Sequence, residues 1–382
     1  MGASLLADAH LLCDHTSYPR TQYRLSLVLY RRSFRPQSLT VSYRCQPWKH
    51  AKRPCPIVFA ASSTQASPDS RIQTEKLIAQ DLVQTDLPYT THSWQWRGHK
   101  VNYAVAGCGP PVVLVHGFRA SIGHFRKNVP ALAQHYKVYA IDLLGFGASD
   151  KPPLAYSTEL WRDQVLDFLA EFADAPAVLV GNSIGSLVSL MANAEGGEKV
   201  VRGTVLLNCA GGMNTKGLTD DWRVRLAFPF FLLIDFLLSR QRIARWLFDG
   251  FRTKENLRKA LLAVYKNEEA VDDALIDLIH VPSGAEGALE AFVSVISGPP
   301  GPRPEAIFDN VGGPLLLLWG EEDTVTPLDG PVAKFLKAAV DHRPDTEFIV
   351  LPGTGHCLHD DDPPAVNKEI LKWLEMHHAQ GR

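Results

Sequence analysis

The sequence predicts an α/β chain with a mostly parallel sheet of eight strands and one inserted helical cap, and three observations lead there. Short apolar runs rich in β-branched residues alternate with helical stretches from Ser93 onward, the pattern of a parallel sheet covered on both faces. The alternation stops between Gly212 and Arg303, where the chain reads as mostly helical. It then resumes, so the helical stretch is an insertion within one core.

Composition sets the outer bounds. The chain has 382 residues, net charge -2, 46% apolar and 21% charged residues, which is ordinary globular composition with no basic surface to attract nucleic acid. No run reaches the roughly 18 apolar residues of a membrane span. The six cysteines (Cys13, Cys45, Cys55, Cys108, Cys209 and Cys357) are scattered without metal-ligand spacing. Neither a disulfide framework nor a metal site is expected, and no cofactor motif is complete. Gly145-Phe-Gly-Ala-Ser149 lacks the third glycine of a dinucleotide loop and reads as a loop near the substrate entrance.

From His15 to Pro68 there is no Asp or Glu, while Arg20, Arg24, Arg31, Arg32, Arg35, Arg44, Lys49, Lys52 and Arg53 are basic. An Arg-rich, Ser-rich, acid-poor start predicts an organellar transit peptide over residues 1–60, followed by a polar linker over 61–85. Without residues 1–60 the chain keeps 30 basic and 39 acidic residues, a balance that favours solubility over adhesion to an anionic lipid surface.

Next comes the core, expected over residues 86–212 and 303–378. Ser93–Arg97 and Lys100–Gly107 alternate about Gly98-His99, a hairpin signal. Pro111–Val115, Lys137–Ile141, Ala177–Val180, Gly203–Leu207, Pro314–Trp319 and Glu347–Leu351 read as buried strands, with helices over Phe125–Ala133, Leu160–Phe172 and Ile184–Ala194. The cap, expected over 213–302, contains the very apolar stretch 226–238 and closes on the proline- and glycine-rich turn 298–304.

Chemistry concentrates at the ends of these strands. Gly181-Asn182-Ser183-Ile184-Gly185 fits Gly-x-Ser-x-Gly between a strand and a helix, where glycines permit a sharp turn that exposes the serine hydroxyl. Ser183 is the candidate nucleophile. A carboxylate and a histidine should follow in that order. Asp323, in the loop after Pro314–Trp319, is the candidate orienting acid, with Glu322 as its alternative. His356, after the turn Pro352-Gly353-Thr354-Gly355, is the candidate base, with His359 as a competitor read as a helix-start or surface residue. The N–H groups of Ile184 and of Phe118, in His116-Gly117-Phe118, are the expected oxyanion donors. His116 is read as a brace for that loop. An aspartate at position 183 would have pointed to epoxide or haloalkane hydrolysis, and the serine argues against both.

His116-Gly-Phe, Tyr139-Ala-Ile-Asp-Leu-Leu-Gly-Phe-Gly-Ala-Ser-Asp150, Gly181-Asn-Ser-Ile-Gly185, Leu317-Leu-Trp-Gly-Glu-Glu-Asp323 and Gly355-His-Cys-Leu-His-Asp360 resemble landmarks of the plastid α/β-hydrolases of plants and green algae, the group that includes chlorophyll dephytylase and pheophytinase. The resemblance covers roughly residues 92–378. It implies the α/β-hydrolase fold, no cofactor, a chloroplast location in the stroma or at the thylakoid, and hydrolysis of a phytyl ester of chlorophyll or pheophytin. Ser186 stands where the group has a second glycine, and Leu358 where it has proline. The alternative is a plastid lipase or carboxylesterase acting on acyl lipids. A ligand receptor on the same fold would have no use for an intact triad. Phe228, Phe230, Phe231 and Phe236 are candidate walls for a lipophilic ester, and peripheral thylakoid attachment is compatible with such a substrate.

Overall fold

The computed structural model describes residues 89–217 and 221–378, together with the backbone of three strands near the amino terminus. These strands, β1 (Ala7–Leu12), β2 (Gln22–Arg31) and β3 (Phe34–Arg44), pair antiparallel in that order within a unit spanning Met1–Asp86. The expected linker, 61–85, lies outside the described residues, as does the rest of the expected leader.

The second unit, Leu87–Arg382, holds the eight-stranded sheet. Its first two strands, β4 (Thr90–Trp96) and β5 (His99–Ala106), form the expected hairpin. The turn residues are Arg97-Gly98, one position earlier than expected. Both have positive φ, 49° and 82°, as a right-twisted two-residue turn requires. The other strands are β6 (Pro111–Val115), β7 (Lys137–Ile141), β8 (Ala177–Asn182), β9 (Val201–Leu207), β10 (Leu315–Gly320) and β11 (Thr346–Leu351), all mutually parallel. Spatial order is β11-β10-β9-β8-β6-β7-β5-β4.

Burial on both faces explains the unbroken apolar runs. Val113, Val115 and Leu179 pack on one face with Trp161 and Phe168 of α2 (Thr158–Phe172) and Val188 of α3 (Ile184–Gly196). Their chain neighbours Val112, Leu114, Val178 and Val180 pack on the other with Leu132 of α1 (Val129–Leu132) and with Val366 and Trp373 of a carboxyl-terminal helix (Pro363–His378). Each such side chain contributes about 1.5–3 kcal/mol by leaving water. The helix expected over Phe125–Ala133 is instead a 3₁₀ turn, Ile122–Phe125, followed by the single turn α1. Pro130 is responsible: without an N–H it fits only the first turn of a helix, so the helix begins at Val129.

Between β9 and β10 lies the cap, with α4 (Trp222–Leu238), α5 (Gln241–Phe251), α6 (Lys254–Leu262), α7 (Asp273–Ser283) and α8 (Ala288–Ser297). Asp221, Thr253 and Asp272 cap α4, α6 and α7 by accepting from first-turn N–H groups. In α4 the stripe Ala227, Phe231, Ile234 and Leu238 turns inward, where Ile234 and Leu238 pack with Phe248 and Leu289.

Candidate active site

The chain order of the sheet turns back between β6 and β8, so the loops leaving their carboxyl ends meet at one crevice. β8 ends at Asn182 and α3 starts at Ile184, which leaves Ser183 alone to make the turn. Its φ of 56° and ψ of -118° lie outside the regions a side chain prefers, a strain costing about 1–3 kcal/mol. Backbone contacts hold it there: Ser183 N–H donates to Leu207 O at 2.9 Å, and its carbonyl accepts from Ala210 N–H at 3.1 Å. A Cβ on Gly181 would stand 2.2 Å from Gly185 O, and one on Gly185 would stand 2.1 Å from Val115 O. The glycines of the pentapeptide are therefore demanded by space. Ser186 uses its hydroxyl: Oγ donates to Gly181 O at 2.6 Å and accepts from Leu207 N–H at 3.0 Å, tying α3 to β8 and β9.

Asp323 and His356 come from the loops after β10 and β11, 33 residues apart in sequence, and meet at 2.9 Å. The carboxylate can only accept, so His356 Nδ1–H donates to Asp323 Oδ2, and Nε2 is the nitrogen left to carry a proton. Asp323 also accepts from Thr326 Oγ1 at 2.6 Å and from the N–H groups of Val325 and Thr326 at 2.7 and 3.0 Å. Burial pushes its carboxyl up, but the His356 bond and charge, with Thr326, outweigh this and hold it below the usual carboxylate range. The alternative acid, Glu322, is half exposed and pairs with Lys266 at 3.2 Å.

Around the expected oxyanion site, Gly117 approaches so closely that a Cβ there would lie 3.1 Å from Ser183 Cβ. Neither the Phe118 nor the Ile184 N–H donates to a protein acceptor among the described residues. His116 braces the loop: Nδ1 donates to Gly117 O at 2.8 Å while Nε2 accepts from Leu143 N–H at 3.0 Å. That pair of partners fixes a neutral ring, and burial lowers its pKa accordingly.

Four supporting residues carry no local sequence signal. Buried Asp142 accepts from Ile122 N–H, Ala148 N–H and Asn102 Nδ2 at 2.7–2.8 Å, joining the two loops that flank His116. Asn208, at φ 48°, donates to the carbonyls of Gly355 and His356 at 2.8 Å. Asp361 accepts from Gly355 N–H at 2.7 Å and from the cap's Lys266 and Asn267 N–H groups at 3.1 and 2.7 Å. Arg119, beside Phe118, stacks over Phe251 and Phe292 of the cap at 4.3 and 5.4 Å.

Two sequence readings need correction. His359 does lie in the first turn of a short helix, Leu358–Asp361, but it is not a surface residue: it is 1% exposed, edge-on to His124 at 5.1 Å and packed against Phe125 at 4.8 Å. Of the four candidate wall residues on α4, Phe228, Phe230 and Phe236 are exposed to solvent, and only Phe231 turns toward the interior. A 3.6-residue period leaves those three off the inward stripe. The rings beside the oxyanion loop are Phe146 and Phe292, each 5.9 Å from Phe118.

The buried histidines set an acid limit. His124 donates or accepts at Tyr265 Oη, 2.7 Å away, and burial pulls its pKa to about 4. Burial takes His359 well below the usual histidine value too. Both are neutral when folded and protonate more readily when unfolded. Stability is therefore complete above about pH 6.5 and declines as pH falls toward the folded values. His124 alone is expected to remove about 2–3 kcal/mol by about pH 4.5. Urea midpoints at about pH 7.5 and 4.5 check this, and equal midpoints would refute it.

Among the described residues no three His, Cys, Asp or Glu gather as a metal site. A pattern for the alpha/beta hydrolase family matches residues 112–369. Uncharacterized hydrolase YugF of Bacillus subtilis is 29% identical over 69% of this chain and 89% of its own length. The 2-hydroxy-6-oxo-6-(2'-aminophenyl)hexa-2,4-dienoic acid hydrolase of Metapseudomonas resinovorans is 28% identical over 72% and 88%. Chloroplastic pheophytinase of Arabidopsis thaliana is also 28% identical, over 74% of this chain and 65% of its own. Among solved structures, a serine hydrolase of carbazole degradation (CarC) superposes with a TM-score of 0.59 at 26% identity, over 75% of this chain and 99% of that one. Bacterial hydrolases thus lie as near as the plant one, and what they share with this protein is the family: the chain belongs to the alpha/beta hydrolases, as a hydrolase of the serine type.

Proposed function

We propose that the protein hydrolyses a carboxylic ester of a bulky lipophilic substrate, with the phytyl ester of chlorophyll or pheophytin preferred. The observation that carries the reaction type is the 2.9 Å contact of His356 with Asp323 in the loops that follow β10 and β11, in a chain whose Ser183 sits alone on a strained turn. Ser183 Oγ attacks the ester carbonyl as His356 Nε2 takes its proton. Asp323 orients the ring and stabilises its charged form. The Phe118 and Ile184 N–H groups receive the developing oxyanion. His356 then protonates the departing alcohol, and water releases the acyl group. Pheophytinase supports the phytyl reading by likeness alone, as the dienoic acid hydrolase would a different acid.

A lipophilic ester must be met where it dissolves, and α4 offers a surface for that. Trp222, Leu226, Leu233 and Phe236 are 50–75% exposed on its outward arc, and Trp246 of α5 is 74% exposed. Residues 222–252 carry six arginines and two aspartates, against the acidic balance of the rest of the chain. Aromatic and aliphatic side chains rimmed by arginine suit the headgroup region of an anionic bilayer. No described helix is long and apolar enough to cross a membrane. Peripheral attachment to a thylakoid surface, after import into a chloroplast, belongs to the same reading.

One experiment tests both parts. Chlorophyll, pheophytin, galactolipid and triacylglycerol are presented in anionic vesicles, products are identified by mass, and the vesicles are floated. The expected result is phytol release, with the protein floating and Trp222→Ser/Leu226→Ser/Trp246→Ser staying in the soluble fraction. Fatty-acid release without phytol would favour the lipase reading, and equal flotation of the triple variant would remove the lipid-facing role of α4.

A further inference from the structure

The side chain of Arg119 has no assigned task in ester hydrolysis, yet it stands one residue from an oxyanion donor. Its Nη2 is closed off from solvent and has no hydrogen-bond partner among the described residues. Burial pulls its pKa down to about 10, so it is still a cation at neutral pH. Other arginines of the chain show what a structural role looks like. Arg343 donates to Val311 O, Gly313 O and Asp345, and Arg126 holds Asp272 with two bonds. Among the described residues the guanidinium of Arg119 meets only rings, those of Phe251 and Phe292. Aromatic rings accept the face of a guanidinium but give its N–H groups no oxygen, and in this half-buried side chain the closed-off Nη2 without an acceptor is destabilising. Its backbone is also held at φ 59°, in the left-handed region where a side chain is disfavoured.

The guanidinium lines a cavity of about 40 Å³ between the oxyanion loop and the cap, with Phe146, Lys151, Ile279, Pro282 and Phe292. That space suits one small polar group, not a whole substrate. Lys151 adds a second positive charge at its wall while donating to Gly147 O and Ser149 O at 2.8 and 3.0 Å. The cavity shares Lys151, Phe248 and Ser283 with an outer cleft of about 750 Å³ between the 150–153 loop and the cap, so a ligand has a way in.

The geometry points to an acceptor subsite in this cavity: Arg119 binds a ketone or carboxylate oxygen carried by the acyl half of the substrate, outside the ester that is cleaved. A neutral, purely hydrocarbon acyl chain would leave Nη2 without an acceptor, whereas an oxo acid or a dicarboxylic half-ester would supply one. Arg119 is then a specificity-determining residue. The inference rests on the reading of Ser183 as nucleophile and of the Phe118 N–H, one residue from Arg119, as an oxyanion donor; the choice of the acyl half is part of the proposal, and the ester series tests it.

Chain-matched p-nitrophenyl esters of valeric, 4-oxovaleric and glutaric acids, with the homologous hexanoic, 5-oxohexanoic and adipic set, test it in the full-length protein and in Arg119→Met and Arg119→Lys. The expected result is a kcat/KM at least tenfold higher on the oxo or carboxyl ester than on the plain one, carried by KM. Arg119→Met should bring the ratio of oxo or carboxyl ester to plain ester to within threefold of one, whatever it does to turnover of valerate itself, and Arg119→Lys should recover part of that ratio for the carboxyl ester. The oxo and carboxyl arms tell which acceptor is read. Competitive inhibition by glutarate against valerate gives a readout independent of turnover, with a tenfold preference for glutarate or for 4-oxovalerate that Arg119→Met abolishes. No preference in the parent protein, or an equal loss on every ester, overturns the subsite. Turnover that survives Ser183→Ala would instead overturn the nucleophile, and the two failures are distinguishable.

Discussion

Ser183→Ala is expected to lower ester turnover by about 10⁴- to 10⁶-fold while the melting temperature moves by no more than a few degrees. The two halves of that expectation have separate causes. The turn is held by the backbone of residue 183, through Leu207 O and Ala210 N–H, and by the glycine contacts on either side. Alanine keeps all of these and the same Cβ. What it removes is the oxygen that attacks, and neither His356 nor the oxyanion donors can replace a missing nucleophile. Gly185→Ala makes the contrast: a Cβ 2.1 Å from Val115 O must displace a central strand, so fold and activity fall together. Burst kinetics with an activated ester and labelling by a fluorophosphonate read the same atom. Turnover unchanged in Ser183→Ala, or a label carried by another residue, would remove Ser183 from the chemistry.

The parts of this site that were legible in the sequence are those whose cause is local. A strand that must turn through one residue into a helix writes its glycines at fixed positions, and a hairpin writes residues that tolerate positive φ. The parallel strands are unbroken apolar runs because both faces are covered, and their ends fell within a few residues of expectation. Even the pairing of Asp323 with His356 follows from chain order once a sheet edge is assumed. The residues that hold the site are of another kind. Asp142, Asn208 and Asp361 are polar residues buried by partners far away in the chain, and no period or spacing reports such partners. A histidine beside Asp360, Asp361 and Asp362 reads as a helix-start or surface residue for that reason, and burial of His359 by partners far along the chain overturns the surface half of that reading. Helix α4 failed differently: apolar residues all round it give no period, so its inward stripe could not be told from its outward one.

Asp361→Ala is expected to lower stability and turnover together. Its carboxylate, 2% exposed, accepts from Gly355 N–H in the loop that carries His356 and from Lys266 and Asn267 N–H in the cap. Removing it leaves three N–H donors short of an acceptor, a loss of about 3–5 kcal/mol at about 1–3 each with partial hydration. Activity should fall as well, by about 10- to 100-fold in kcat, because His356 N–H donates to the cap's Val264 O at 2.9 Å and depends on the same seam for its position. Asp362 is the control: it accepts one bond, from Ala365 N–H at 3.1 Å at the start of a helix, and Asp362→Ala should cost about 1 kcal/mol and leave kcat alone. Urea midpoints and kcat on a soluble ester, measured at about pH 7.5, separate the two. Equal effects of the two substitutions would mean that the cap and the His356 loop are not joined through Asp361. The expected inequality ties the cap to the proton carrier, so any ligand that shifts the cap shifts His356 with it.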